Sequence, residues 1–287
     1  MSSVSNSREE IKNENILLIK KYLSTGFETS LFESTIQNLS DHENPLRFNN
    51  FAYSMREIIG ILIHSYSNDE EIFQCSWYNN DTNEEGKLTR AEKIHYAIHG
   101  GLSFDTANEI LNEDISSVFT KFAKYFKNLN KHTHIREGTF NISNEDVSKY
   151  SCEILSVVAK ILMLISDCKS EIINNIEEEL DETVIDNFIQ EVVNDLDVLS
   201  THTLVEEVCV ESHNIKEIKS DIILLEGTGS VSCELQYGSN SDLRNDNGCT
   251  VNSSYPFTYN GTLNLENLEE FNIERENIIV DTSSFYE

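Results

Sequence analysis

No stretch of the sequence is apolar enough to cross a membrane, and its start does not resemble an export signal. Runs of apolar residues stay well short of the roughly 18 that a membrane-spanning helix requires. The first residues, MSSVSNSREEIK, contain neither the apolar region nor the cleavage site of a signal peptide. These absences argue against a membrane partner and predict a cytoplasmic location. The 39% of hydrophobic residues in a chain of 287 is nevertheless enough to fill the core of a globular protein.

The sequence contains six cysteines but no CxxC pair. Zinc ribbons need closely spaced pairs of cysteines, and small secreted domains need a dense disulfide framework. The scattered positions therefore predict reduced thiols at Cys75, Cys152, Cys168, Cys209, Cys233 and Cys249.

Four well-defined catalytic motifs are also missing. The sequence contains no GxSxG, no Walker A sequence, no HExxH and no P-D…(D/E)xK signature. Their absence argues against serine hydrolases, P-loop NTPases, zinc proteases of that class and restriction-type nucleases. We therefore predict that the protein uses no cofactor and has no metal site.

Positive charge is scarce and unevenly distributed. The chain has 21 Lys and Arg against 50 Asp and Glu, a formal charge of −29. Residues 1–170 hold 17 basic against 24 acidic residues, about −7, whereas residues 171–287 hold 4 against 26, about −22. Because an acidic surface repels phosphate backbones, we expect any nucleic acid to contact the N-terminal part. Whether the acidic part only confers solubility or binds a basic partner stays open.

Hydrophobic periodicity predicts helices over the first 200 residues. Thr89 and Glu92 form a capping-box pattern, and Gly100 follows the short helix that they open. Apolar residues then recur at helical spacing in several segments. We expect helices to begin near Asn44, Thr89, Asp114 and Ser143, the last continuing to about Ser200.

The hydrophobic period changes to two after residue 205. In SVSCELQYG, apolar residues alternate with polar ones, as in a half-buried strand. Gly227–Gly229 is predicted to be a hairpin turn. The expected fold class is α+β, with a mainly helical domain at 1–200 and an acidic, β-rich domain at 205–287.

The helix predicted from Asp114 separates two kinds of side chain. At 100° per residue, its apolar residues lie on one arc and four lysines lie on the opposite one. Two histidines and an arginine follow at the end of this helix. The cluster is predicted to bind nucleic acid, although lysines also form ordinary solvated faces and histidines at a helix C-terminus complement its dipole. Its members are Lys121, Lys124, Lys127, Lys131, His132, His134 and Arg136.

A second cationic group lies on the short helix TRAEKIHYAIHGG. Arg90 and His95 resemble the R-x(4–6)-H arrangement of HEPN ribonucleases, in which a histidine handles the 2′-hydroxyl proton and an arginine holds the phosphate. His95 and His99, one turn apart, have the spacing of a zinc-binding pair, but no third ligand stands nearby. Because His95 adjoins an apolar arc, a packed histidine is the alternative.

Six segments of the chain carry a resemblance to a known family: NPLRFNNFAYSMREIIGILI, SWYNN, LTRAEKIHYAIHGGL, YFKNLNKHTHIREGTF, GTGSVSCELQYGSNSDLRNDNG and VDTSSFYE. Together they resemble the predicted pPIWI-associating nucleases of bacterial conflict systems, over roughly residues 45–287. The resemblance implies a bacterial defence protein with an HEPN-like helical domain and a β-rich tail. The positions to which the resemblance assigns candidate functional residues are Arg56, Glu57, Arg90, Asn130, Lys131, His134 and Arg136. No arginine precedes NKHTH at the short R-x(4–6)-H spacing of an ordinary HEPN motif.

Two functions remain open at this point. The first is a metal-independent nuclease that acts on RNA in antiphage defence, with His95, His132 or His134 as acid or base and Arg90, Lys131 or Arg136 holding phosphate. The second is a non-catalytic scaffold or sensor that binds a protein partner through the acidic C-terminal domain. The expected partners are RNA, a protein from the same defence operon, and a second copy of the chain.

Overall fold

A computed structural model of the protein describes residues 2–79, 86–189, 194–268 and 270–286. Contacts between residues divide the chain into two units, Met1–Cys168 and Lys169–Glu287. The first unit is helical and the second contains an antiparallel sheet, so the fold class is α+β, as predicted. In the described part of the chain, none of the helices combines the length and apolarity needed to cross a membrane.

In its described residues, the first unit consists of helices and one short 3-10 turn at Glu137–Thr139. None of its described residues before 140 lies in a strand. The helices are α1 Ser2–Lys21, α2 Gly26–Ser40, α3 Arg47–Ser65, α4 Asp69–Ile72, α5 Arg90–His99, α6 Phe104–Leu111, α7 Ser116–His132 and the start of α8, which covers Asn144–Ile189.

The core of this unit comes from the apolar faces that the sequence pattern identifies. In α3, Phe51, Met55 and Ile58 are buried, and in α7 the buried face includes Phe122 and Phe126. These side chains form one cluster with the apolar face of α8. Burial of such continuous faces stabilises helices that propensity alone would leave marginal in water.

Two predicted helix starts are displaced by two or three residues. Asn44 does not cap α3, because its Oδ1 accepts a hydrogen bond from Leu46 N at 2.9 Å and forms a turn before the helix. Asp114 accepts from Ser116 N at 3.0 Å in the same manner. The helices therefore begin at Arg47 and Ser116. An asparagine or aspartate before a helix can make either bond, and sequence does not distinguish them.

The other predicted caps are confirmed. Thr89 and Glu92 form a reciprocal capping box at the start of α5, which ends at Gly100. Ser143 Oγ accepts from Asp146 N at 3.1 Å at the start of α8. This helix continues to Ile189, and a short helix, α9, follows at Asn194–Asp197. The division between units at residues 168 and 169 thus lies inside α8, whereas the change from helix to strand occurs before His202.

The second unit contains a five-stranded antiparallel sheet. Three long strands pair in the order β1-β2-β3, and two short strands both pair with β3. Val231, Cys233 and Leu235 are fully buried while their neighbours are not, which confirms the predicted alternation. The strands are β1 His202–Ile218, β2 Ile222–Tyr237, β3 Cys249–Asn264, β4 Phe271–Asn272 and β5 Ile278–Val280, with α10 Asn240–Arg244 between β2 and β3.

The predicted hairpin turn at Gly227–Gly229 is wrong. Both glycines lie in the middle of β2, where they pair with β1 on one side and β3 on the other. A Cβ on Gly227 would lie 2.6 Å from Tyr259 Cζ, and one on Gly229 would lie 2.7 Å from Phe257 Cε1. Glycine is required because aromatic rings from β3 cover the central strand. The real turn follows β1, where Lys219 N donates to Ile222 O at 2.8 Å.

Candidate functional site

The histidines of α5 lie in an aromatic cluster. The His99 ring is fully buried against Trp77 and Phe104, at centroid distances of 5.7 and 6.0 Å. No described residue forms a hydrogen bond with either of its nitrogens. Burial and the neighbouring His95 lower the pKa of His99 to about 3, so its ring is neutral at physiological pH. His99 therefore packs as an aromatic ring does.

Arg90 and His95 contact different rings of α7. The guanidinium carbon of Arg90 lies 4.8 Å from the centre of the Phe126 ring, and the His95 ring lies 4.0 Å from that of Phe119. Phe119 and Phe126 are two helical turns apart, about 10 Å along the axis. Arg90 is exposed and His95 is half-buried. Arg90 and His95 both face α7, but they contact rings that lie two helical turns apart. Their catalytic roles stay a prediction.

The predicted histidines at the end of α7 differ in accessibility. His132 is buried, its ring 5.0 Å from Phe48 and 5.7 Å from Tyr150. Its Nδ1 donates to Asn128 O at 2.9 Å, since a carbonyl can only accept. His134 and Arg136 are exposed in the loop that follows. Only these last two can meet a ligand from solvent in this arrangement.

The loop after α7 is held in place by Thr139. Its hydroxyl donates to His134 O at 2.7 Å and accepts from Arg136 N at 2.9 Å. Thr139 itself is buried. The backbone that carries His134 and Arg136 is thus fixed although both side chains reach solvent.

Arg47, which the sequence does not single out, is buried next to the first residue of α8. It is the first residue of α3 and is only 5% exposed. Its Nη1 donates to His42 Nδ1 at 2.5 Å, and its Nη2 donates to Asn144 Oδ1. Within the described ranges, none of the carboxylates forms an ion pair with it. A buried cation without a counter-charge is costly, and such groups concentrate at functional sites.

The hydrogen bond from Arg47 fixes the tautomer of His42. Because a guanidinium only donates, His42 Nδ1 must accept, which leaves the ring proton on Nε2. His42 is exposed. The pair therefore offers a buried positive charge and a donor N–H at the surface.

Three helix ends meet around Arg47. Asn49 Nδ2, on α3, donates to His132 O at 2.8 Å, and Phe48 packs against the His132 ring. Asn144, the first residue of α8, completes the contacts of Arg47. We call this group of Arg47, Asn49, His132 and Asn144 the helix-end junction. The fragment NPLRF contains no sequence signal for it, because nothing there indicates that the arginine is buried.

The four lysines predicted to bind nucleic acid are exposed on α7. Lys121, Lys124, Lys127 and Lys131 lie opposite the buried face that includes Phe122 and Phe126. Lys121 also lines a groove of about 540 Å³ between α7 and α8. The described residues contain no group of three or more His, Cys, Asp or Glu arranged to hold a metal ion.

A histidine with a buried side chain lies in the C-terminal unit and also escapes sequence reasoning. His213, on β1, is 3% exposed, and its Nε2 donates to Asp181 Oδ1 on α8 at 2.8 Å. Its Nδ1 accepts from the Tyr259 hydroxyl on β3. Burial and the Asp181 carboxylate raise the pKa of Tyr259. Both nitrogens of His213 are occupied, so this group stabilises the unit and leaves no ring atom for a ligand.

The fold and this surface define an α+β protein with a lysine-bearing helical unit and an acidic sheet unit. Two family models, both described as predicted pPIWI-associating nuclease, match residues 20–158 and 165–286. The chain belongs to the predicted pPIWI-associating nucleases, as the sequence resemblance indicates. The gap between the two matches lies close to the division of the structure at residues 168 and 169. No curated protein and no solved structure matches the chain.

Proposed function

We propose that the protein is an antiphage-defence nuclease that cuts RNA without a metal ion. In this proposal its N-terminal unit is HEPN-like and holds the RNA. The observation that carries the proposal is Arg47, a buried cation that forms no ion pair with a carboxylate of the described residues and that donates to the exposed His42. Family membership supports nuclease activity, since the family is described as a predicted nuclease.

Metal-independent RNA cleavage needs only groups that this surface contains. A base removes the 2′-hydroxyl proton, an acid protonates the leaving 5′-oxygen, and a cation stabilises the phosphorane between these steps. His134 is the exposed candidate base and, once it holds the 2′-hydroxyl proton, the candidate acid that returns a proton to the 5′-oxygen. His42, with its proton on Nε2, is a candidate hydrogen-bond donor to the phosphate. Arg47 and Arg136 supply positive charge for the phosphate. His132 acts as a positioning residue, because it is buried in the helix-end junction.

The phosphate backbone on either side of the cut would lie on the lysines of α7. Lys131 is one residue before His132 and three before His134, so the row of lysines leads to the exposed histidine. A flexible ammonium suits a phosphate backbone because it binds charge without selecting a base. Arg90 and His95, on α5, are the alternative catalytic pair.

The deciding experiment is cleavage of end-labelled RNA by the purified protein with EDTA present. We expect products that end in 2′,3′-cyclic phosphate and 5′-hydroxyl groups. His42→Ala and His134→Ala should each slow cleavage about a hundredfold or more. His64→Ala, at an exposed histidine of α3, is the matched control and should cut as the wild type does. Loss of activity in EDTA, or full activity of both histidine variants, would refute the proposal.

A cellular test separates catalysis from folding. His134→Ala and Arg136→Ala should each abolish protection against phage, because both side chains face solvent and neither supports the core. Their thermal midpoints should stay within a few degrees of the wild type. A variant that protects fully, or that fails to fold, contradicts the assignment of that residue.

One observation favours a second candidate function, a non-catalytic module that binds a protein partner. Residues 169–287 hold 26 acidic against 5 basic residues, a net charge of −21. On the open face of the long strands, the acidic side chains of Glu207, Glu226 and Glu234 accompany rows of Ser, Thr and Asn. Such a face suits a basic partner. Defence that survives His134→Ala but is lost when these three glutamates become glutamine would favour this function.

A further inference from the structure

The groove between α7 and α8 combines positive rims with an apolar floor. Val118 and Val157 form the floor and are 3% and 4% exposed. Its volume of about 540 Å³ lies in the range of small-molecule sites. All of its lining residues belong to the N-terminal unit.

The charges of the groove are not equivalent. At one end Lys160 Nζ forms an ion pair with Glu113 Oε2 at 2.5 Å, so these two charges compensate one another. Lys121 and Lys149, both exposed, face a single remaining carboxylate, that of Glu153. The open part of the groove therefore carries a net positive charge in a chain of charge −29. An anionic ligand is the chemistry that this balance favours.

An aromatic ring lies beside these lysines. Tyr125 is half-buried in the groove wall, and Lys124 Nζ lies 5.6 Å from the centre of its ring. A partly exposed ring between flexible cations is the arrangement on which proteins stack the bases of single-stranded nucleic acids. The apolar floor adds a surface for the flat face of a base and offers no hydrogen-bonding code that would select one.

The groove also leads towards the helix-end junction. Lys149 lies five residues after Asn144 on α8, about 8 Å along the helix axis. Tyr150, the next residue, packs against Phe48 and His132 of the junction. A single strand of RNA that occupied the groove would thus extend towards the surface where Arg47 and His42 lie.

We propose that this groove binds one nucleotide of single-stranded RNA, with its phosphate on Lys121 and Lys149 and its base against Tyr125. The inference rests on the proposed function, since it names the part of the N-terminal unit that positions the substrate. A double helix does not fit, because a paired base cannot leave its stack to reach the Tyr125 ring without unpairing. The groove therefore makes the protein selective for unpaired RNA.

The first test uses uridine 3′-monophosphate and the full-length protein, with binding followed by calorimetry. Tyr125→Ala should weaken binding about tenfold, whereas Tyr125→Phe should bind as the wild type does, because only the ring is needed. Lys149→Gln should also weaken binding. Lys87→Gln makes the same charge change at an exposed lysine outside the groove and should have no effect. Unchanged binding by Tyr125→Ala and Lys149→Gln, or no binding by the wild type, overturns the proposal.

A second test locates the ligand through Cys152, which lines the groove and is half-buried. The nucleotide should slow alkylation of Cys152, measured by peptide mass spectrometry, and leave alkylation of the exposed Cys209 unchanged. Equal protection of both thiols, or of neither, contradicts binding in the groove. RNA cleavage is measured separately on the same samples. If the nucleotide binds here and RNA is not cut, the proposed function fails and the site remains.

Discussion

At the scale of the residue, His99 makes the stability of the N-terminal unit depend on pH. Its pKa falls from an ordinary value near 6.5 to about 3 in the folded state, so the unfolded chain binds its proton more readily. The stabilisation from a neutral ring is complete above pH 6.5. It is lost progressively as the pH falls from there towards 3, by about 1.4 kcal/mol per pH unit.

The variant His99→Phe tests this prediction. Phenylalanine keeps an aromatic ring among Trp77, Phe104 and His95 and removes the titrating group. Between pH 7 and pH 5, the free energy of unfolding measured in urea should fall less for the variant than for the wild type. His64→Gln, at an exposed histidine, should leave the pH dependence as it is. If the free energies of unfolding of the wild type and His99→Phe fall in parallel as the pH is lowered, folding does not lower the pKa of His99.

A second residue-scale prediction concerns the hydroxyl of Tyr259. Tyr259→Phe removes the donor to His213 Nδ1 and leaves a buried acceptor without a partner. Such a loss costs about 1–3 kcal/mol. We expect this decrease in the free energy of unfolding of the C-terminal unit, with no comparable effect from Tyr286→Phe at an exposed tyrosine. A stability within experimental error of the wild type would mean that the bond contributes nothing.

Residues of this kind mark where sequence reasoning ends. Thr89 and Ser143 are predictable as caps because both bonding partners lie within four residues. Arg47 and His213 owe their roles to Asn144, Asp181 and Tyr259, which are tens of residues away. Nothing local distinguishes a buried arginine or histidine from an exposed one. The accessible residues of the candidate site, His134 and Arg136, were predictable for the opposite reason, because they follow an apolar stripe that ends at Leu129.

At the scale of the element, glycines at two positions should respond oppositely to alanine. In β2, a Cβ at Gly227 would lie 2.5 Å from Ser212 O, a backbone atom that cannot move independently. In α3, Gly60 is exposed and nothing lies within 4 Å of its Cβ position. We expect Gly227→Ala to destabilise its unit by about 1–3 kcal/mol and Gly60→Ala to stabilise its helix by about 0.5–1 kcal/mol. Denaturant titration of both variants checks the two signs, and a shared sign would contradict this account.

Hydrophobic periodicity decides which elements could be predicted from the sequence. Periods of 3.6 and 2 identify α3, α7, α8 and β2 because each buries one continuous face. The eight-residue helix α6 is not predicted from the sequence, because it is short and fully buries only Ala107, although Phe104, Ala107 and Leu111 follow helical spacing. The GTG sequence predicts a turn, but glycine also occurs where an aromatic ring covers a strand, as it does here. That second use depends on Tyr259 and Phe257, which lie a strand away.

At the scale of the whole molecule, the two units that contacts define differ strongly in net charge. The unit Met1–Cys168 holds 16 basic against 24 acidic residues, whereas Lys169–Glu287 holds 5 against 26. Sequence alone shows this asymmetry, because charge needs no fold to be counted. It does not show where the units divide, because α8 continues as one helix through the boundary. The change of hydrophobic period near residue 200 marks the first strand and not the end of the first unit.

This asymmetry gives salt two opposite effects. Screening relieves repulsion among the acidic groups of the C-terminal unit, so added salt should raise its thermal midpoint. Salt should weaken RNA binding at the same time, because each phosphate contact on single-stranded RNA contributes about −0.7 to the slope of log K against log salt. Replacing Lys124 and Lys131 by glutamate should weaken binding and make that slope shallower by about 1.4, the share of two contacts. If the double variant keeps both the affinity and the slope of the wild type, the lysines of α7 do not hold RNA, and their exposure reflects only a solvated helix face.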